Sequence, residues 1–371
     1  MKENHACRWC RGELSSYYKS NSSGFVNVPL SSAFARSVNE RRLNTHSFEF
    51  TRCNCCYLPQ ITSTSSHKNL GHINSLIKYN EPKNHHCDLV KLLENHVPHK
   101  VSKKIALASG KDLDVANHLC SSFSSVSYLS ENDVNKYDIV LANRYLEHCN
   151  HSEEIHKVFK SCSNNGLLVI ECLDFDKMYN LHHNSYLWDE RLSYFSWNYI
   201  LHYANLFGYE GFWFKEYKNN DEPFWVGILL RTKIVEPTVD YSLLSCENMT
   251  ISFQSTLDHM KESFIDLYQK GFRNFSFIGI GHKAQFASHV LLNTINTVSI
   301  KYFDSSSVKL GTLWNGSRIL PFSELSTHHI AQCKTIYIFS FGGPNAELLR
   351  DQISFYDPMA SYWKINQLYG V

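Results

Sequence analysis

KIALASGKDLDVANHL, residues 104–119, is the stretch that decides the fold class of this 371-residue chain. It begins as an apolar run, turns at Ser109-Gly110, and continues with residues that favour a helix. A strand, a glycine turn and a helix are how many nucleotide-binding sites begin. The stretch has a single glycine, and its strand contains no acidic residue. It therefore predicts the position of a cofactor loop in an α/β fold, without the residues that such a loop normally uses.

Strand and helix patterns alternate after this stretch. Apolar β runs occur at 137–143, 166–173 and 223–232, and a helical pattern over 152–162 separates the first two. Apolar strands that alternate with helices are typical of an open, mostly parallel sheet. A second pattern of the same kind follows a linker near 233–247. Its predicted elements are a helix at 255–271, a strand and turn at 275–283, a helix at 284–295, and strands at 298–304 and 334–341.

The interval between Gly110 and Asp138 is short. It holds 27 residues, whereas one strand–helix–strand unit takes about 30 or more. A doubly wound sheet places two strands in this interval, and here there is room for one short strand and a loop. Residues 104–119 are therefore expected at the edge of a shortened sheet. Glu131 and Asp133 are the acids of the interval, and each either contacts a cofactor or solvates a turn.

The N-terminal segment contains two C-x-x-C pairs separated by 42 residues. Each pair can chelate a metal from a tight turn, and two pairs supply the four thiolates of a closed, structural zinc site. The segment is polar and cannot build a large core, which a bound metal would offset. Cys55 lies inside the second pair and competes with its neighbour. The x2 spacing selects as ligands Cys7, Cys10, Cys53 and Cys56.

Bulk composition excludes several classes of partner. There are 36 basic and 35 acidic residues, so the net charge of +1 argues against a nucleic-acid partner. No apolar run reaches the roughly 18–20 residues of a membrane helix, and the segment MKENHACRWC lacks the apolar region of a secretory signal. A cytoplasmic location is expected. The twelve cysteines are then thiols or metal ligands rather than disulfides.

Several motifs occur in the order found in one known family. The motifs are CRWC (7–10), RCNCCYLPQI (52–61), NRYLEHCNH (143–151), RLSYFSW (191–197), IGIGHKAQ (278–285) and FDSSSVKLG (303–311). Together they resemble the sugar-nucleotide C-methyltransferases of deoxysugar pathways. The resemblance implies a nucleoside-diphosphate sugar held between the central and C-terminal domains. Typical members deprotonate carbon 3 of a 4-keto sugar and methylate the carbanion with S-adenosylmethionine.

Pattern and resemblance together predict an α/β chain of three parts. A zinc-binding module occupies 1–75, and a degenerate methyltransferase-like Rossmann domain with a shortened sheet occupies 76–247. A C-terminal Rossmann-like domain occupies 248–371. The sequence carries no signal for an oligomeric state.

The donor loop departs from the family pattern. The acidic position reads Leu107, the first glycine reads Ser109, and the last glycine reads Leu113. Glycine is needed where backbone must approach a ligand closely, and an acid would hold the charged amino-acid part of the donor. We therefore expect that S-adenosylmethionine binding has been lost.

The catalytic motif also departs from the family. Where the family reads Y-H-E-H, this chain reads Trp188-Asp189-Glu190-Arg191, so only the glutamate matches. Tyrosine and histidine carry protons near neutral pH, but tryptophan and arginine do not. The carboxylates of Asp189 and Glu190 lie among aromatics such as Tyr194 and are candidates for general acid or base. Arg191 is a candidate for pairing with a carboxylate or a sugar phosphate. The alternative is a surface salt-bridge cluster.

Other candidate residues follow from the same resemblance. His183 and Tyr79 are expected near the reacting sugar. Gly279, Gly281 and Lys283 occupy a strand-to-helix turn, where backbone N–H groups and a lysine can cradle a diphosphate.

Two further pairs have open roles. Asp304 and Lys309 suit either a structural turn or a ligand-facing edge. Glu147 and His148 match the family's L-E-H and either face the cleft or pack.

Three functions are consistent with these residues. The first is a nucleotide-sugar isomerase or mutase that no longer uses S-adenosylmethionine and performs epimerisation or pyranose–furanose rearrangement by acid/base chemistry. The second is an S-adenosylmethionine-dependent deoxysugar C-methyltransferase. The third is a non-catalytic binding protein. Polysaccharide biosynthesis is the pathway class expected from such a substrate.

Overall fold

The computed structural model describes most of the chain in fourteen segments. They are residues 6–16, 25–29, 45–63, 83–96, 104–109, 116–117, 125–130, 132–180, 191–219, 222–234, 249–307, 309–328, 334–341 and 344–368. Three sheets organise these segments, one antiparallel and two mostly parallel. The predicted α/β class is confirmed. Among helices of the described segments, none combines the length and apolar character that a bilayer span requires.

The N-terminal module is a small antiparallel sheet. Its strands are β1 (Leu14–Ser16), β2 (Phe25–Pro29), β3 (Thr45–Cys53) and β4 (Pro59–Ser63). The nine-residue β3 pairs with each of the other three strands. The cysteine pairs lie next to β1 and at the β3–β4 connection, so pairing of β1 with β3 brings them to the same end of the module.

The central unit follows the alternating pattern of the sequence. Its elements are α1 (Lys83–His96), β5 (Lys104–Leu107), β6 (Ser125–Tyr128), β7 (Tyr137–Asn143), a 3-10 turn (Leu146–His148), α2 (Ser152–Ser161), β8 (Cys162–Leu173), α3 (Phe175–Asn180), α4 (Trp197–Leu206), β9 (Tyr209–Asn219) and β10 (Glu222–Arg231). The strand order is β6-β5-β7-β8-β10-β9. The first four strands are parallel, and β10 runs antiparallel to both of its neighbours.

The inner strands of the central sheet, β5, β7, β8 and β10, are buried on both faces, as is usual for parallel strands. Along β7, Ile139 and Leu141 pack on one face with the apolar side of α1, while Val140 and Ala142 pack on the other. The second face is covered by α2 and α4 and by Trp9 of the N-terminal module. The module therefore shares one apolar core with the central unit.

The sequence expectations for this unit are largely confirmed, with one correction. Among the residues that the structure describes between Gly110 and β7, there is one short strand, β6, in agreement with the prediction. The strand β5 is not an edge strand, however, because β6 pairs with its outer side over Lys104–Leu107. The hairpin partner β9 was not predicted. Its side chains are mostly exposed on one face, so it lacks a long apolar run.

Gly227 in β10 is fixed by a close approach of an aromatic ring. A Cβ at this position would overlap the Trp197 ring, which stacks on Phe214 at 5.0 Å between ring centroids. We expect Gly227→Ala to destabilise the central unit by about 1–3 kcal/mol, the usual cost of overpacking. Gly211→Ala on β9 is the control, because the nearest atom is the flexible Leu201 Cδ1 at 3.3 Å. Equal thermal midpoints for the two variants would contradict this expectation.

The C-terminal unit is a second, mostly parallel sheet. Its elements are α5 (Met249–Gln269), β11 (Asn274–Ile278), α6 (His282–Thr294), β12 (Ser299–Asp304), β13 (Leu313–Trp314), β14 (Ser317–Pro321), a 3-10 segment (Phe322–His328), β15 (Thr335–Phe339), α7 (Pro344–Tyr356), β16 (Ser361–Lys364) and α8 (Ile365–Leu368). The order is β13-β14-β12-β11-β15-β16. All pairs are parallel except β13 with β14.

Candidate functional site

The two C-x-x-C pairs form the same turn twice. Arg11 N donates to Cys7 O at 2.9 Å, and Tyr57 N donates to Cys53 O at 3.1 Å. Arg11 and Tyr57, each directly after its pair, have φ of 64° and 58°. This left-handed backbone turns the chain back after each pair, so that both pairs present their thiols to a common point.

The four predicted cysteine ligands meet at that point. Their Sγ atoms lie within 4.8 Å of one another. Two of the separations are 3.6 Å (Cys7 to Cys56) and 3.4 Å (Cys10 to Cys53). A tetrahedral zinc with Zn–S bonds of about 2.3 Å implies S···S separations of roughly 3.8 Å, so the cluster is close to the size that zinc requires. The set can hold one metal ion, while Cys55 is exposed and outside it.

Backbone donors surround the thiol cluster. Trp9 N donates to Cys7 Sγ at 3.4 Å, Gly12 N to Cys10 Sγ at 3.4 Å, and Cys55 N to Cys53 Sγ at 3.3 Å. Such donors favour the thiolate form, which is the form that binds metal.

A second charged cluster lies where β7 and β8 end. It contains Arg144, Glu147, Glu171 and Arg191, whose side chains are at most 5% exposed. Arg144 Nε lies 3.1 Å from Glu171 Oε1, and Arg191 Nε lies 3.4 Å from Glu147 Oε1. Arg144 Nη1 is 3.6 Å from the same Glu147 oxygen. We call these four residues the arginine–glutamate cluster. The carboxyl ends of parallel strands are where open α/β sheets bind their ligands.

Glu147 is the centre of this cluster. Burial raises the pKa of its carboxyl, but the positive charges of Arg144 and Arg191 and a hydrogen bond with His148 more than offset that effect. Its pKa therefore lies well below the usual range. Its Oε2 also accepts from Leu173 N at 3.2 Å. A carboxylate held in this way stays ionised near neutral pH, so it orients the arginines rather than carrying protons.

The predicted catalytic segment is only partly described. Arg191 and Tyr194 are buried, and Arg191 pairs with a carboxylate, which is one of the two pairings that the sequence allowed. Tyr194 packs its ring 6.0 Å from that of Phe175. Five predicted residues lie outside the described segments, namely Tyr79, His183, Trp188, Asp189 and Glu190.

Sequence reasoning missed Arg144 and Glu171. Both are charged residues within or directly after apolar strand runs, and a charge at such a position is an available signal. Arg144 follows the last residue of β7, and its left-handed backbone, with a φ of 51°, turns the chain from β7 toward the 3-10 turn.

The carboxyl ends of β5 and β6 are where a methyl donor is expected to bind. Leu107 is buried in the core at the end of β5, so this position supplies no polar group. The carboxylate of Asp133 is occupied by local hydrogen bonds, because it accepts from Ser130 N, Lys136 Nζ and Tyr137 Oη, each at 2.8 Å. Of its two predicted roles, contact with a cofactor or stabilisation of a turn, the structure therefore favours the turn. Tyr128 at the end of β6 is 56% exposed.

The C-terminal unit brings most of its predicted residues together. Asp304 Oδ2 accepts from Ile280 N at 2.7 Å and from Lys309 Nζ at 2.9 Å. Lys309 Nζ also donates to Ile280 O at 2.9 Å. This pair therefore braces the turn after β11, where Gly279 has a φ of 81°.

The glycine turn leaves open space before α6. Gly281 is the residue that precedes this helix, and nothing lies within 4 Å of a Cβ built on it. Lys283 is in the first helical turn and is largely buried. The helix N-terminus thus retains the space that a phosphate would need.

A separate cavity of about 430 Å³ lies at the carboxyl ends of β15 and β16. Its lining includes Phe341, Arg350, Tyr362, Trp363 and Lys364. The predicted site residues that fall in the described segments are not part of its lining.

Several solved structures that are similar to part of this chain are methyltransferases. One is an S-adenosylmethionine-dependent methyltransferase from Methanosarcina mazei, 11% identical, with a TM-score of 0.28, covering 39% of this chain and 98% of its own. Another is an N-methyltransferase from Bradyrhizobium japonicum, which is 11% identical, has a TM-score of 0.29, and covers 41% of this chain and 96% of its own. A third is the 1,6-didemethyltoxoflavin-N1-methyltransferase from Burkholderia thailandensis, solved with S-adenosylhomocysteine. It is 10% identical, has a TM-score of 0.32, and covers 40% of this chain and 78% of its own. At these values the likeness is a partial one of fold alone.

No protein-family model matches the chain. No curated protein matches it either.

Proposed function

We propose that the chain is an S-adenosylmethionine-dependent methyltransferase acting on a nucleoside-diphosphate sugar. The observation that carries the proposal is the direction of β10. A dinucleotide-binding sheet of the Rossmann type is mostly parallel across its order. Here β10 is inserted antiparallel between β8 and β9, so that β9 again runs parallel to β8. This antiparallel hairpin separates the central sheet from the strand order of a dinucleotide-binding domain, so we adopt the methyltransferase-like domain that the motif order implies.

The carboxyl ends of β5 and β6 fit the adenosine half of S-adenosylmethionine better than its amino-acid half. The exposed Tyr128 ring at the end of β6 offers a stacking face for the adenine. The amino-acid half finds no carboxylate at position 107, where a buried leucine stands. S-adenosylmethionine would supply the methyl group. The chain's own contribution is the ionised Glu147, which holds Arg144 and Arg191 in place at the neighbouring strand ends.

Support for a nucleotide-sugar acceptor comes from the motif order and from the turn before α6. The open space at Gly281 and the lysine in the first helical turn suit a diphosphate. The proton-carrying candidates remain the two carboxylates predicted from the sequence, Asp189 and Glu190.

Donor binding tests the proposal directly. We expect S-adenosylhomocysteine to bind with a micromolar Kd in titration calorimetry. Tyr128→Ala should weaken binding about tenfold through lost stacking, whereas Tyr128→Phe keeps the ring and should bind like the natural chain. Absence of binding at millimolar ligand would overturn the proposal.

A second candidate is favoured by Leu107 itself. A chain without the donor's acidic anchor suits the acid/base isomerase or mutase, which needs no methyl donor. NMR of a nucleotide-sugar panel separates the two functions, because an isomerase converts its substrate without S-adenosylmethionine. If neither a donor nor a sugar binds, the non-catalytic binding protein is favoured.

A further inference from the structure

The segment Arg191–Ser196, which follows the predicted catalytic residues, is attached to the N-terminal module as an extra strand. Ile61 N donates to Leu192 O at 3.0 Å, and Tyr194 N donates to Pro59 O at 3.1 Å. Gln60 and Ser193 form an antiparallel bridge between these two bonds. One edge of the segment is therefore fixed by β4 of the module.

The same segment is fixed on its other side by the arginine–glutamate cluster. Leu192 N donates to Glu147 O at 2.8 Å, and Ser193 N donates to the same oxygen at 3.2 Å. The Arg191 side chain reaches the Glu147 carboxylate. The segment thus lies between the module and the 3-10 turn, and it needs both to hold its position.

Gln60 connects the thiol cluster to this segment. Its side chain is fully buried, and its Nε2 donates to Cys7 Sγ at 2.7 Å. Its Oε1 accepts from Arg8 N at 3.0 Å. The backbone of the same residue pairs with Ser193. A single residue therefore contacts a metal-ligating sulfur with its side chain and the site segment with its main chain.

Two further contacts follow the same path. Arg8, inside the first C-x-x-C pair, donates from Nη1 to Leu192 O at 3.4 Å. Trp9 packs its ring 4.9 Å from Phe195 and 4.2 Å from Tyr203. Both residues between Cys7 and Cys10 thus contact the central unit.

We infer that metal binding at the four cysteines positions Arg191 against Glu147, with Gln60 as the positioning residue. A small polar module has little core of its own and takes its order from the metal. Without metal, β4 loses its support, and Leu192 and Ser193 keep their backbone bonds to Glu147 O while the bonds across to Pro59 and Ile61 are lost. The coupling is a property of the fold, and its importance for a reaction rests on the proposed function.

Amide hydrogen exchange tests this coupling without substrate or donor, so its outcome is independent of the methyltransferase proposal. Zinc-loaded protein is compared with protein stripped by a chelator. We expect the amides of Ile61 and Tyr194, which donate across the junction to Leu192 O and Pro59 O, to exchange about tenfold faster or more after metal removal, through local opening. Amides of β7 and β11 should be unchanged. Equal exchange at Ile61 and Tyr194 with and without zinc would overturn the inference, and so would faster exchange that extends through β7 and β11.

A substitution separates the positioning role from metal binding. Gln60→Leu keeps the volume but removes both side-chain hydrogen bonds, and with zinc still bound it should raise exchange of the Tyr194 amide, which donates to Pro59 O next to Gln60. Ser15→Ala is the control, because Ser15 bonds Arg52 O at 3.4 Å elsewhere in the same sheet. Unchanged exchange in zinc-loaded Gln60→Leu would remove Gln60 from the positioning role.

Discussion

Replacing Cys56 with serine is expected to reduce the zinc content of the chain from about one per molecule to near zero. The residue is fully buried, and its Sγ lies 3.6 Å from that of Cys7. Serine removes a soft thiolate ligand and leaves three thiols of the four-cysteine group. Structural zinc sites contribute about 10–16 kcal/mol of binding free energy in zinc-finger peptides. Losing such a site should therefore unfold the module.

The neighbouring cysteine provides the matched control. Cys55 is exposed and outside the four-thiol group, so Cys55→Ser should keep both the zinc and the thermal midpoint. Metal content by mass spectrometry and thermal denaturation measure the two effects. If Cys56→Ser retained one zinc per chain, or if Cys55→Ser lost it, the assignment of ligands would be wrong.

The second large effect is expected for Glu147→Gln. This change leaves the buried charges of Arg144 and Arg191 without the carboxylate that they share. Breaking a buried ion pair in this way costs about 3–5 kcal/mol. We expect a loss of that size in urea denaturation of the transition that includes the central sheet. Glu153→Gln is the control, because its partner is Arg11 in a bridge whose carboxylate side is 69% exposed, and such pairs contribute about 0–1 kcal/mol.

The pH dependence of stability gives the same prediction an independent check. The folded-state pKa of Glu147 is depressed, so its contribution is present above the unfolded pKa of about 4.3. That contribution is lost as the pH falls through the folded pKa. The natural chain should therefore lose stability on acidification below about pH 5 more steeply than Glu147→Gln. Parallel pH profiles for the two proteins would show that Glu147 is not held ionised by its partners.

Local patterns account for most of the secondary structure that was predicted. The apolar run at 137–143 is β7, and the run at 223–232 is β10 within one residue at each end. The predicted helix at 255–271 is the C-terminal part of α5, which begins earlier, at Met249. Its first turns lack the regular apolar spacing that marks the rest. Strand β9 was not predicted because most of its side chains are exposed, so it has no apolar run that would mark it as a strand. Its extended conformation is fixed by pairing with β10.

The sequence by itself determined the alternation of elements and the spacing of the cysteine pairs, including the choice of Cys56 over Cys55. These features are encoded locally, since helix and strand periods and a C-x-x-C turn involve residues a few positions apart. Tertiary structure alone decided the antiparallel direction of β10, the burial of Arg191 against Glu147, and the contact of Gln60 with both Cys7 and Ser193. Each of these depends on which distant segments pair across sheets. A local period does not record that choice, because burial of a charge or of an amide becomes favourable only when its partner arrives from elsewhere in the chain.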